Sequence, residues 1–335
     1  MGDPTEPVDP GLERLRVSYD AAYTWDYASG AKQGLRELYE KAKREQWNGS
    51  TALAWDTSVD PEHEILPLAL NPLIDYGPFK RLSSKEQHHY QHAVIAWQLS
   101  QFLHGEQGAL LTSSQLVATV PWIDAKYFAA SQTLDEARHV EVFGRYVREK
   151  IEWEWPINPH LKQLLDAILE DGRWDLKYLG MQILVEGLAM AAFSNMYQLA
   201  EEPLLRELLH NVMRDEARHV AFGVISLQGF YQDMPVSELR DREDFIVDAC
   251  RLMRDRLIGE EVADVMGFDR EEVRRVTLES PILLAFRQAL FARVVPNIKR
   301  LGLLTPRVRG AFEEMGILQF EDQDPEALDR ALGLL

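Results

Sequence analysis

Asp135-Glu136-Ala137-Arg138-His139-Val140 returns unchanged as Asp215-Glu216-Ala217-Arg218-His219-Val220, 80 residues further along. In each copy a Glu precedes a His by three positions: Glu136 and His139, Glu216 and His219. Residues three apart on an α-helix share one face a turn apart, so a carboxylate oxygen and an imidazole nitrogen can reach a common point. Thirty residues before each of these glutamates stands another, Glu106 before Glu136 and Glu186 before Glu216. Glu106 and Glu186 are themselves 80 apart, so six ligand-type residues obey one symmetric rule. One Glu from each of two helices and Glu-x-x-His from each of two others is the arrangement by which a helical bundle holds two metal ions. Four carboxylates and two imidazoles form a hard, oxygen-rich set that suits two Fe ions, with Mn or a mixed Mn/Fe pair as competitors. Four ionised carboxylates buried without metal would be very costly, so metal-free protein is expected to show raised carboxylate pKa values or a loosened bundle.

Through these residues the chain resembles the R2-like branch of the ferritin-like di-iron carboxylate proteins. That branch includes ribonucleotide reductase small subunits, bacterial multicomponent monooxygenase hydroxylases, acyl-carrier-protein desaturases and amine N-oxygenases. The resemblance spans roughly residues 83–230 and is specific for the metal site, not for a substrate. It implies an all-α, ferritin-like four-helix bundle with a dinuclear metal site, extra N- and C-terminal helices, and a reduced centre that binds and activates O₂. It further implies that the Asp before each ligand Glu holds the opposite histidine across the bundle, Asp215 to His139 and Asp135 to His219. Arg138 and Arg218 lie nearly opposite the ligand face and are expected to pair with acids behind the site. Leu103, Leu110, Phe143, Ile183, Met190, Phe193 and Val220 form the expected apolar shell. Gln132 and Thr133, one turn before Glu136, stand where a polar group steers O₂ or protons, or simply packs between helices. Ala129, Ala189 and Gly223 are small enough to leave substrate room.

Three functions fit such a centre. The first is an O₂-activating oxidoreductase, a hydroxylase, N-oxygenase or desaturase, acting on a small organic substrate. Glu64-Ile65-Leu66-Pro67 and Asn71-Pro72-Leu73, ahead of the first bundle helix, look like amine N-oxygenases. Those enzymes carry a further metal-binding His four residues before the last Glu-x-x-His, where this chain has Val212. The second is a ribonucleotide reductase small subunit or a ligand-binding oxidase with Fe/Fe or Mn/Fe. In that group a radical Tyr commonly stands four residues after the first ligand His, and here the residue is Phe143. The third is a ferroxidase or iron-storage protein, although storage ferritins are much shorter chains. No glycine-rich nucleotide motif is present, so monooxygenation would draw its electrons from an external donor, a ferredoxin or flavin reductase. Family habit and the large helical surface point to a homodimer.

The bulk numbers agree. A formal net charge of −18 over 335 residues, with no Lys/Arg-rich block, argues against nucleic-acid binding. The single Cys250 excludes an internal disulfide and reads as a small buried hydrophobe. With no basic-then-apolar N-terminal stretch, a cytoplasmic location is expected. The least polar stretch, Leu179–Met196, is interrupted by Gln182, Glu186, Ser194 and Asn195. It therefore reads as a bundle helix, not a membrane span.

In order, residues 1–11 read as a flexible tail and 12–335 as one domain, with the bundle core over 83–231 and C-terminal helices over 236–335. Helical spacing runs through 11–27 and more clearly through 32–47. The proline-rich 48–82 reads as an extended wrap, and Ser83 with Glu86 as a capping box. Bundle helices are expected to about 120 and over 122–151, 174–200 and 203–231, with a minor helix over 161–170. Further helices are expected over 237–265, 270–278, 281–301, 305–315 and 324–334. Nothing alternates with period two, so no sheet is expected. His88 and His92 are spaced to bind a metal, but with His89 they read as exposed or interfacial, and His104 points away from the site.

Overall fold

Gly34 has a φ of 93°, in the left-handed region that only glycine enters freely. The stretch expected over 32–47 therefore becomes helical only from the next residue and for a shorter span, as α1 (Leu35–Arg44). Its apolar stripe buries Leu35 and Ala42 completely. The computed structural model describes residues 12–28, 30, 32, 34–60 and 64–334, so the tail expected over 1–11 lies outside the described residues. The described residues of 48–82, the expected wrap, form only short helical turns, at Leu68–Leu70 and Gly77–Lys80.

The capping box forms as its residues dictate. Ser83 Oγ accepts the Glu86 N–H at 3.3 Å, and the Glu86 carboxylate accepts the Ser83 N–H at 2.8 Å. From it grows α2 (Ser84–Thr119), ended ahead of Pro121. A short connection leads to α3 (Ile123–Tyr146), prolonged by a π-helical turn at Val147–Ile151. After the minor helix α4 (Pro159–Glu170) come α5 (Trp174–Leu199) and α6 (Pro203–Leu227). Connections of three residues join α2 to α3 and α5 to α6, which makes each pair antiparallel neighbours. Helix α5 is long and apolar enough to cross a membrane, but 94% of that stretch is buried inside the protein. Its hydrophobicity is that of a central bundle helix.

The C-terminal part adds α7 (Val236–Asp255), α8 (Arg270–Glu279), α9 (Pro281–Ala289), α10 (Val294–Arg300), α11 (Pro306–Glu314) and α12 (Pro325–Ala331). Val294 and Phe312 belong to the same buried cluster as Phe128, Tyr178 and Phe222 of the bundle. Cys250 is fully buried there. No strand occurs among the described residues.

Three local expectations are corrected. The helix read over 11–27 does not form: residues 12–28 run without helix, and Tyr23 and Trp25 are 71% and 79% exposed. Without an apolar face covered by the bundle, helical spacing alone does not hold a short helix together. The segment is pinned instead through its backbone, Ala22 N donating to Ala118 O at 2.9 Å. The helix read over 237–265 stops at Asp255, because Gly259 turns left-handed at φ 62° and a 3₁₀ stretch, Glu260–Met266, follows. The helix read over 281–301 is interrupted by a 3₁₀ turn at Leu290–Ala292. Pro296 lacks the N–H that would bond the carbonyl of Ala292, and its ring crowds that turn.

Candidate metal centre

Glu106 comes from α2, Glu136 and His139 from α3, Glu186 from α5, and Glu216 and His219 from α6. The structure brings all six together in the bundle, each at most 5% exposed. Their donor atoms fall into two groups: Glu106, Glu136, His139 and Glu216, and then Glu136, Glu186 and His219, all within 4.8 Å of one another inside each group. Glu136 is common to both. His139 Nδ1 lies 3.1 Å from Glu106 Oε2 and 3.2 Å from Glu216 Oε1. His219 Nδ1 lies 3.1 Å from Glu136 Oε1 and 3.6 Å from Glu216 Oε1.

The electrostatics are those of a crowded anionic pit. Burial pushes Glu106 up to about 8, the neighbouring Glu216 and Glu136 adding to it against His139. Burial and the same two neighbours hold Glu186 well above the usual carboxylate range. Burial opposes the charge of His139 and His219, but the surrounding carboxylates raise both well above the ordinary imidazole value. Burial also opposes the charge of Glu136, and the two imidazoles overcome it and keep that carboxyl low. Protons thus stand in for positive charge that the donor set calls for. Glu136 Oε2, Glu186 Oε2, Glu216 Oε2 and His219 Nδ1 are buried without a hydrogen-bond partner. Orphaned oxygens and an imidazole nitrogen converging on one point fit a pair of hard divalent ions.

The opposite ring nitrogens face the repeated aspartates. His139 Nε2 is 3.1 Å from Asp215 Oδ2, and His219 Nε2 is 3.3 Å from Asp135 Oδ2. Holding a proton on Nε2 leaves Nδ1 as the nitrogen whose own proton a metal ion would replace. Arg138 bridges both aspartates, donating to Asp135 Oδ1 at 2.5 Å and Asp215 Oδ2 at 2.9 Å. Arg218 pairs with Asp215 and reaches Glu45 Oε2 at 2.8 Å. These two guanidiniums compensate the buried negative charge behind the site. Asp215 is held well below its usual range, His139, Arg218 and Arg138 together outweighing its burial.

Sequence reasoning missed the end of α1. Gln46 Nε2 donates to Asp135 Oδ1 at 2.8 Å, its Oε1 accepts Arg138 at 2.9 Å, and Trp47 Nε1 donates to Asp215 Oδ2 at 2.8 Å. Glu45, Gln46 and Trp47 reach partners 89 to 173 residues away, a separation that no local period marks.

Of the expected shell, Gln132 sits within the cluster, donating to Glu136 Oε1 at 3.0 Å and Glu186 Oε1 at 2.9 Å. Its amide therefore orients two carboxylates. Thr133 instead bonds back to Ala129 O on its own helix. A cavity of about 20 Å³ beside the cluster is lined by Phe102, Ala109, Ala189 and Phe193 together with Glu106, Glu186 and Glu216. Phe143 stacks behind Phe193 at 5.6 Å. Leu110, Ile183 and Met190 do not line that space: Leu110 is half-buried one residue off the inward face, while Ile183 and Met190 pack in the surrounding core. Val212, where a further His was considered, is a fully buried core residue. His88 faces Glu64, while His92 and His104 face the carbonyls of Ile151 and Trp155, and none joins a donor group.

A second cavity, of about 380 Å³, opens outward between α2, α5 and the C-terminal helices. Its walls include Asn71, Pro72 and Leu73, the fragment noted ahead of the bundle, and Trp97, Leu188 and Phe286. Gln101, Phe102 and Arg256 line both cavities.

A family model described as P-aminobenzoate N-oxygenase AurF matches residues 28–302. No curated protein matches the chain. Among solved structures it is similar to the dimanganese(II) NrdF of Streptococcus sanguinis, with a TM-score of 0.55 and 15% identity over 88% of this chain and 99% of that one. It is also similar to an R2-like ligand-binding oxidase with aerobically reconstituted metal cofactor, with a TM-score of 0.47 and 17% identity over 80% of this chain and 93% of that one. The likeness to NrdF gives the fold alone, the ferritin-like bundle.

Proposed function

The chain belongs to the p-aminobenzoate N-oxygenase AurF family, and with it to the ferritin-like di-iron oxidoreductases that use O₂; from that premise we propose that it is a monooxygenase adding oxygen to the nitrogen of a small, largely apolar amine. The observation that carries this reading is the pair of donor groups sharing Glu136, set beside a small cavity that shares Gln101, Phe102 and Arg256 with a larger, mostly apolar chamber. Glu106, Glu136, His139, Glu186, Glu216 and His219 are the residues that would hold the two metals. Iron suits this donor set, and Mn or a mixed pair competes for it. Such a pair, when reduced, supplies the electrons and open positions at which O₂ is activated.

The chain's own residues do the rest. Asp135 and Asp215 fix the histidine tautomers, and Gln132 holds the carboxylates of Glu136 and Glu186 in place. Phe102, Phe143 and Phe193 pack edge and face within 4.8 to 6.1 Å, keep bulk water off the cluster and offer no phenol to oxidise. Val212 leaves the donors at four carboxylates and two imidazoles, so N-oxygenation here would run without the extra histidine. Electrons would come from a ferredoxin or flavin reductase, since the sequence carries no nucleotide motif. A homodimer is supported by the exposed Tyr19, Tyr23, Trp25 and Tyr27 along one extended segment, and a cytoplasmic location by the lone buried thiol.

The test is reconstitution with ferrous iron under nitrogen, metal analysis, then exposure to O₂ with a chemical reductant and aniline or 4-aminobenzoate. Two irons per chain and O₂ uptake coupled to hydroxylamine or nitro products are expected. His139→Ala should lower the metal content and slow product formation by more than about 100-fold, beyond the loss typical of outer partners. Two bound irons and O₂ uptake without any oxidised amine would rule out N-oxygenation.

A further inference from the structure

Gln132 is fully buried, and both hydrogens of its amide nitrogen are committed, to Glu136 Oε1 at 3.0 Å and to Glu186 Oε1 at 2.9 Å. It thus ties a carboxylate of α3, the one common to both donor groups, to a carboxylate of α5. Carboxylates that hold a metal ion offer lone pairs and no proton, so the amide can meet them only nitrogen first. Turned by half a rotation, the same amide would set its oxygen against two anionic oxygens. The direction in which Gln132 faces is therefore part of the site, and it depends on what meets Gln132 Oε1 from behind.

Gln182 meets it. Its Nε2 stands 3.4 Å from Gln132 Oε1, and no other donor reaches that oxygen among the described residues. The distance is at the long end for a hydrogen bond, so the contact orients the amide more than it binds it. Gln182 is itself fully buried, and its own Oε1 has no hydrogen-bond partner. A Leu or Met in its place would fill similar space without stranding a buried oxygen, so packing gives no reason for an amide here. The backbone around it is shaped to admit it. Leu179–Val185 is π-helical and ends directly before Glu186, and such widened turns recur at functional sites. On the facing helix, Gly223 omits the Cβ that would stand 2.7 Å from Gln182 Cβ. A widened turn, a missing Cβ and a stranded amide oxygen converge on one side chain.

We propose that Gln182 is a positioning residue for the metal centre. It keeps the nitrogen of Gln132 toward the cluster and, through Gln132, sets the placement of Glu136 relative to Glu186. The inference rests on the six donors being the metal site, and its test needs no turnover.

Wild-type protein and variants are loaded with Mn(II) under nitrogen and their metal content is measured. The electron paramagnetic resonance spectrum then reads how the shared carboxylate couples the two ions, and competition with a chelator reads their affinity. Gln182→Met nearly keeps the volume and removes the donor. It should leave the circular dichroism spectrum unchanged, alter the resonance of the coupled pair, and lower metal affinity by about 10-fold, the loss typical of partners behind a ligand. Gln132→Leu sets the ceiling. Adding Gln182→Met to it should change nothing more, because a residue that acts through Gln132 then has nothing left to act on. Gln182→Asn, one methylene shorter and unable to overfill the core, should reproduce the effect, which decides the matter if the Met variant does not fold. Gln182 variants that match the wild type in resonance and affinity, or losses that simply add in the double variant, would overturn the role. A wild type that takes up no manganese would instead sink the metal reading, and this inference with it.

Discussion

Asp215 Oδ2 takes the indole N–H of Trp47 at 2.8 Å and Arg138 Nη2 at 2.9 Å, and faces His139 Nε2 at 3.1 Å. One buried oxygen is thus oriented by groups from the end of α1 and from α3, and it in turn fixes the ring that offers Nδ1 to the cluster. Trp47→Phe keeps an aromatic face beneath Arg138, whose guanidinium lies 4.8 Å from the ring centroid, but removes the donor. Metal affinity should fall by about 10-fold, the loss typical of partners behind a ligating histidine. Stability should fall by about 1–2 kcal/mol. Competition with a chelator and the urea midpoint read the two effects; unchanged affinity would mean that Asp215 needs no third donor. The residue scale also shows where spacing informs. Glu136 and His139 are visible because three positions on a helix fix a shared face. Gln46 and Trp47 are invisible because their partners lie on other helices far along the chain.

Among the elements, α5 departs most from regularity. It is π-helical over Leu179–Val185, immediately before Glu186, and α6 packs against the widened turn. Gly223 permits that approach: a Cβ there would stand 2.7 Å from Gln182 Cβ and 3.1 Å from Ile183 Cδ1. Gln182 Cβ is tied to the backbone and cannot swing aside, so Gly223→Ala must push α5 and α6 apart. A loss of about 1–3 kcal/mol in chemical unfolding, with reduced metal content, is expected. Gly310→Ala is the control, since nothing lies within 4 Å of its added Cβ, and it should be neutral or slightly stabilising. If both variants behave alike, close packing at Gly223 is not what holds the turn. The capping box and the bundle helices follow from local rules. The breaks at Gly259 and ahead of Pro296 do not show in a 3.6-residue period, because an apolar stripe continues across a change of backbone direction.

At the scale of the molecule, four buried carboxylates and two imidazoles sit between the halves of the bundle, and bound metal would replace the protons they hold. Removing metal by a chelator that is then dialysed away should lower the melting temperature by about 5 °C or more, taking about 2.7 kcal/mol for an ion at 100 times its dissociation constant. Differential scanning calorimetry of the same preparation before and after treatment tests this, and an unmoved transition would mean that the cluster folds equally well empty. By itself the sequence determined the all-α class, the start of α2, and the symmetry of six donor residues in two related halves, because each is a consequence of spacing along a helix. The tertiary structure alone decided that Glu45, Gln46 and Trp47 close the back of the centre. It also decided that the fragment Asn71–Leu73 walls a chamber and that Arg256 lines both that chamber and the cavity beside the centre. Those placements arise from packing between helices distant in sequence and from one left-handed glycine, and neither leaves a periodic trace in the chain.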